Sequence, residues 1–166
     1  MTADFVHDES GSWSSEECEA VLEALRGPSL ATALRILGDR SQAEDAVQDA
    51  YVKATGAIGQ IRNRASVGSW FRRIVVRCSL DALATRTSLR ESQLVDGPAG
   101  TDQKIELQWA LDRLKPEQQV VLALAFGDGL SHREIADALD CPMGTVASRI
   151  HSAKAAFRKV WEDNHD

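Results

Sequence analysis

Aromatic side chains are scarce in this chain: they make up 5% of its residues, with a single tyrosine. Its core must be built from aliphatic side chains, chiefly Ala, Leu and Val, and that mixture favours helices over strands. No apolar run reaches the ~18 residues that would span a bilayer, and the first residues lack the basic-then-apolar pattern of a secretion signal. No membrane insertion is therefore expected, and the expected location is the cytoplasm. The three cysteines, Cys18, Cys78 and Cys141, are far apart and lack metal-ligand spacing. Such an odd, scattered set fits a reducing compartment and buried structural thiols, so no metal site and no cofactor are expected. There is no glycine-rich phosphate loop and no nucleophile motif. None of His7, His132, His151 and His165 pairs with a candidate nucleophile. An enzyme is not expected.

What the chain does carry is charge, unevenly spread. Its net charge of −6 over 166 residues argues at first against a nucleic-acid partner. Residues 1–28 hold seven acids and one base, whereas residues 29–90 hold ten bases and five acids. Local charge governs phosphate contact, so the basic segment is where nucleic acid would bind. The acidic flanks either meet a basic protein surface or keep the chain soluble.

Helix signals divide the chain. Residues 1–12 are polar and aperiodic and read as a disordered acidic N-terminus. Ser14 with Glu17 forms a capping box for a helix ending at Gly27, and Pro28 opens a second that runs to Gly38. Ser41 with Glu44 predicts a third helix. It carries Ala43, Val47, Ala50, Tyr51 and Ala54 on one side and Glu44, Asp45, Gln48, Asp49 and Lys53 on the other. A loop over 60–65 follows. Ser66 then caps a long helix to about Thr85 with the apolar stripe Val67, Trp70, Phe71, Ile74 and Cys78. Residues 87–102 read as a linker by composition. Beyond them Asp102 caps one helix, and Pro116 opens another that closes at Gly127. The expected fold is all-α: two small helical domains, 13–86 and 103–161, joined by a flexible linker, with no strand and no repeat.

The most informative stretch is residues 128–154. Ser131 and Glu134 form a capping box on a short helix, and Ile135 and Leu139 share one of its faces. Cys141-Pro142 stops that helix, and Gly144-Thr145 begins the next turn. Apolar residues then recur as Val146, Ile150, Ala153, Phe157 and Val160, while Thr145, Ser148, Arg149 and Ser152 share the opposite face. This is a helix-turn-helix whose second helix is suited to a DNA groove.

Three segments stand in one order with a linker between them. They are Leu37-Gly-Asp-Arg-Ser-Gln-Ala-Glu-Asp-Ala-Val-Gln-Asp-Ala-Tyr51, then Ser69-Trp-Phe-Arg-Arg-Ile74 continuing to Leu80-Asp81, then Leu114, Pro116, Glu134-Ile135-Ala136 and Gly144 to Arg149. Together they resemble the extracytoplasmic-function (ECF) group of bacterial RNA polymerase sigma factors over roughly residues 16–160. The resemblance implies a dissociable polymerase subunit, with region 2-like and region 4-like domains at 13–86 and 103–161. It implies that Glu44, Asp45, Gln48 and Asp49 dock on the clamp helices of core RNA polymerase. Arg62, Asn63 and Arg64 in the loop, with Arg72, Arg73 and Arg77 on the helix, would meet the −10 promoter element, where an unpaired base is captured. Thr145, Ser148, Arg149, His151, Ser152 and Lys154 would contact the −35 element as duplex DNA. Trp70 is better placed for core packing than for stacking on a base. Arg149 is expected to divide itself between DNA and an acid of the neighbouring helix, and His151 to lie near the edge of the groove face. A sigma factor of this group is expected to be monomeric when free and to be held by an anti-sigma factor.

The chain departs from the family pattern in places. Ile74-Val75-Val76-Arg77 stands where Ile-Ala-Arg-Asn is common, and Ala84-Thr85 where a basic pair is usual. Ala147 and Ser152 occupy positions that are often basic. These changes predict a weaker grip on melted DNA and an unusual or weakly read −35 sequence. The alternative reading is a stand-alone helix-turn-helix regulator whose N-terminal domain serves dimerisation or sensing. Dimeric state and symmetric half-sites would mark it.

Overall fold

The computed structural model describes residues 13–91 and 102–165. It contains seven α-helices: α1 (Ser15–Leu37), α2 (Arg40–Thr55), α3 (Val67–Glu91), α4 (Gln103–Leu111), α5 (Pro116–Leu122), α6 (His132–Leu139) and α7 (Met143–His165). There is no strand among the described residues, and none of their helices is long and apolar enough to cross a membrane.

Helix α1 begins at the expected capping box of Ser14 and Glu17. It does not stop at Gly27 but continues through Pro28. Proline removes one helical donor, yet Ala24, Gly27 and Pro28 all lie on the exposed side. Buried residues on both sides of the break, Leu22 before it and Thr32, Ala33, Ile36 and Leu37 after it, hold the two halves in line. The helix ends at Gly38, which has φ +67° and returns its N–H to the Leu34 carbonyl. Asp39 caps α2 by accepting from the Gln42 N–H at 2.8 Å, so the expected cap at Ser41 is displaced by two residues. Glu44 pairs with Arg40 at 2.8 Å instead of closing a capping box.

Helix α3 is longer than its sequence pattern indicates. Val67, Phe71 and Cys78 of the expected stripe are buried, with Trp70 and Ile74 half-buried beside them. Val75, Val76 and Leu83 are buried as well, which widens the stripe to two faces. One face packs on α1 and α2, the other on α5 and α6. The final turns, expected to be linker, are helical through Glu91. Arg86 holds them, donating to the Leu37 carbonyl at 2.7 Å and to Asp112 at 3.1 Å. The rest of the expected linker, and the expected disordered segment 1–12, lie outside the described residues.

In the C-terminal half, Asp102 caps α4 as expected, accepting from the Lys104 N–H at 2.9 Å. Helix α5 opens at Pro116 and widens into a π-turn over Ala123–Gly127, closed by the Asp128 N–H on the Ala123 carbonyl at 3.0 Å. The two helical units do not stand apart. Phe71, Val75, Val120, Val121, Leu124, Ile135 and Val146 belong to one continuous buried cluster. Of the cysteines, Cys78 is buried and Cys18 and Cys141 are half-buried, all as free thiols.

Gly38 tests this packing. A Cβ there would sit 2.3 Å from Oε1 of Gln108 on α4, at a positive φ. Gly38→Ala is expected to lower stability by about 1–2 kcal/mol, or ~3–8 °C in melting temperature. Gly27→Ala, with nothing within 4 Å of the added carbon, should be neutral or stabilising by up to ~1 kcal/mol. Thermal denaturation followed by circular dichroism compares the two.

Candidate polymerase and nucleic-acid interface

The loop before α3 is built from two 3-10 turns, Ile58–Gln60 and Arg64–Ser66. Asn63 joins them. Its side-chain oxygen accepts from the Ala65 N–H at 3.1 Å, and its carbonyl accepts from the Ser66 hydroxyl at 2.7 Å. Ile58 is buried and Ile61 half-buried, so the loop is seated on the core while its polar residues stay outside.

The anchor of this loop comes from far away in sequence. Trp13, ahead of α1, donates its indole N–H to the Ile61 carbonyl at 2.7 Å. The Arg64 guanidinium lies over the same ring, 4.4 Å from its centroid. Arg64 also makes two bonds to Glu17, at 2.7 and 3.3 Å. The hydrogen bond from Arg64, followed by that from the Ser14 N–H, holds the Glu17 carboxyl down to about 2. A carboxylate depressed in this way is fully ionised above its ordinary value of 4.5, and the pair is lost only as pH falls toward 2. Arg64, expected to face DNA, is thus committed to protein contacts in this state. The capping box marked Glu17 as a helix start, but nothing in local spacing indicated that residue 64 returns to it.

The remaining −10 candidates divide by exposure. Arg62, Asn63 and Arg77 are exposed, and Arg62 and Arg77 have no ion pair among the described residues. Arg72 and Arg73 are half-buried on the side of α3 that meets α6. Arg73 donates to the Asp137 carbonyl at 3.0 Å and to its carboxylate at 2.7 Å. The charge of Arg72 helps to hold Glu134 ionised, behind the larger effect of the backbone and hydroxyl bonds from Ser131. On α2, Glu44, Asp45, Gln48 and Asp49 are all exposed, opposite the buried Ala43, Ala46, Val47 and Ala50.

The helix-turn-helix is formed by α6 and α7. Ser131 caps α6 in the expected box with Glu134. Asp140 turns the chain at φ +50°, and the Cys141 N–H closes on the Ala136 carbonyl at 3.0 Å. Ile135, Ala136 and Ala138 of α6 pack with Val146, Ile150 and Ala153 of α7. Ser148, His151 and Ser152 are exposed, and Thr145 and Arg149 half-exposed. Ser152 accepts from the Gln118 amide at 3.2 Å. Arg149 has no acidic partner among the described residues, so the expected division of its role is not seen here. Lys154 departs from the expected set. At ~100° per residue it lies across the helix from Thr145, and its Nζ sits 4.9 Å from the centre of the Phe126 ring.

Lys154 instead edges a groove of about 1080 Å³ between the two helical units. Leu34, Leu107, Leu111, Phe126 and Trp161 give it an apolar wall, and Arg35, Lys104, Lys154 and Arg158 supply cations. Phe126 is 63% exposed and Leu107 45%.

Residues 21–88 match sigma-70 region 2, and residues 104–157 match sigma-70 region 4. The chain is 26% identical over 152 residues to the RNA polymerase sigma-H factor of Pseudomonas aeruginosa, covering 79% of each chain. It is 29% identical over 150 residues to the ECF sigma factor SigW of Bacillus subtilis, covering 78% of this chain and 80% of that one. It is 34% identical over 124 residues to the ECF sigma factor SigM of Mycobacterium tuberculosis, covering 71% and 63%. Two solved structures share the fold at 22% identity. One is the sigma factor RpoE in complex with the anti-sigma factor NepR from Bartonella quintana, with a TM-score of 0.60, covering 89% of this chain and 95% of that one. The other is CnrH in complex with the cytosolic domain of CnrY, with a TM-score of 0.62, covering 93% and 94%. With both regions present in order on an all-helical chain, the protein belongs to the extracytoplasmic-function group of sigma-70 RNA polymerase sigma factors.

Proposed function

We propose that this sigma factor docks on core polymerase in the cytoplasm through the acidic face of α2 and reads a bipartite promoter through two further surfaces. The observation that carries this is three sets of exposed or half-exposed polar residues on different elements: α2, the loop and helix of α3, and α7. Glu44, Asp45, Gln48 and Asp49 form the first, Arg62, Asn63 and Arg77 the second, and Thr145, Ser148, Arg149, His151 and Ser152 the third. An acidic face suits a basic polymerase surface, the arginines and the amide suit unpaired DNA, and the hydroxyl-rich face of α7 suits a major groove. Catalysis belongs to the polymerase. The region 2 match disfavours a stand-alone regulator.

The docked arrangement is a resting state in this reading. Elements centred ~25 base pairs apart lie roughly 85 Å apart along B-DNA at ~3.4 Å per pair. A compact chain of this length has a radius of gyration of about 15 Å, too small to reach both. Promoter binding therefore separates α3 from α5 and α6 and releases Arg73.

The groove between the units is the natural seat of an inhibitor. Its apolar wall and cationic edge fit an amphipathic helix with an acidic face, and anti-sigma binding would hold the units docked. The structural neighbour RpoE is bound to an anti-sigma factor.

Runoff transcription with purified core polymerase on genomic promoter fragments tests the whole reading: discrete start sites are expected only when this protein is added. Replacing Asp45 and Asp49 together by Lys is expected to weaken holoenzyme assembly by at least ~10-fold without changing duplex binding by the free chain. Asp137→Asn removes the charge that faces Arg73 and leaves its bond to the backbone carbonyl of residue 137; the pair is 42% and 48% exposed. The substitution is expected to cost under ~1 kcal/mol of stability and to raise binding of single-stranded DNA by the free protein about 2–5-fold at low salt.

A further inference from the structure

The −10 loop is held at both ends by one short stretch at the start of α1. Trp13 takes the Ile61 carbonyl, and Trp13 and Glu17 together take Arg64. Between those two pins stand Arg62 and Asn63, both exposed. The Asn63 side-chain oxygen is occupied by the Ala65 N–H, which aims the amide and leaves its NH2 group as the donor available to a base. Glu17 is itself held, because its carboxylate also accepts from the Ser14 N–H at 2.9 Å. The anchor is therefore a chain of fixed groups and not a loose surface pair.

We infer that Trp13 and Glu17 are positioning residues for −10 recognition, setting the conformation in which Arg62 and Asn63 meet the captured base. The inference rests on the −10 reading given above. Arg64 then acts on DNA through the loop, by locking it, and not by contact. A base pocket on a loop loses discrimination when the loop has alternative conformations, because wrong bases find a fit among them. The indole N–H and the Glu17 carboxylate remove those alternatives before DNA arrives.

The test uses holoenzyme reconstituted with the full chain. A promoter recovered by runoff transcription is randomised across its −10 element, and transcripts are sequenced to obtain base preference at each position. Trp13→Phe keeps the ring and removes the donor; Glu17→Gln keeps the helix cap and removes the charge. Each is expected to flatten preference at the bases read by the loop by about 5–10-fold, the worth of one hydrogen bond. Preference at −35 and the amount of holoenzyme formed should not change. Glu17→Gln also serves if Trp13→Phe folds poorly, since it keeps the side chain's shape and the helix cap and removes one charge.

A lower transcript yield with unchanged −10 preference would mean a scaffolding role and would overturn the inference. Coupling gives a second readout: Arg64→Gln combined with Glu17→Gln should lose no more than Arg64→Gln alone. Multiplied losses would mean that Glu17 acts independently of Arg64, and would also overturn it. Arg62→Ala and Asn63→Ala separate the two levels. If they flatten −10 preference while the Trp13 and Glu17 variants do not, only the positioning role fails. If they too leave it unchanged, the −10 reading fails and the positioning role with it.

Discussion

The structure depends on helix α3 being buried on two sides. Phe71, Val75, Val76 and Leu83 have almost no exposed surface, and the helix packs on α1 and α2 on one flank and on α5 and α6 on the other. A chain with few aromatics gains this core from many small contacts. Ala33, Ala43, Ala50 and Ala54 are fully buried and let helices approach closely. One helix thus anchors the N-terminal bundle, carries arginines expected at DNA and forms the floor on which the helix-turn-helix unit rests.

Charge follows from that arrangement. The net charge of −6 is poorly suited to DNA, yet acids of the C-terminal half are placed against arginines of the basic half. Asp128 receives Arg35 and Thr32, Asp112 receives Arg86, and Asp137 receives Arg73. In the docked state these acids act as internal counterions. The Arg86–Asp112 pair is largely shielded, with side chains 16% and 10% exposed. The Arg73–Asp137 pair is open to solvent and weak. That pair by itself would thus oppose separation of the units little; the apolar flank of α3 against α5 and α6 opposes it far more.

Much of this was legible along the chain because helix signals are local. Ser14, Ser131 and Asp102 cap helices as their spacing indicated, and the acidic face of α2 is exposed opposite its alanines. Where local reading failed, long-range packing had overridden it. Pro28 does not end α1 because buried residues on both sides keep the helix in register. The tail of α3 is helical because Arg86 ties it to Leu37 and Asp112. Lys154 is the exception: helical periodicity alone puts it across α7 from Thr145, and its ammonium lies over the Phe126 ring.

The sequence by itself determined that the chain is all-helical, where most helices start and that a helix-turn-helix closes it. Each of these follows from side chains acting within one or two turns of themselves. Only the tertiary structure decided which arginines are open and which are engaged, because the partners of Arg64 and Arg73 lie 47 and 64 residues away. It also decided that both units share one core, since a helix with two apolar faces does not declare in sequence which neighbour will cover the second.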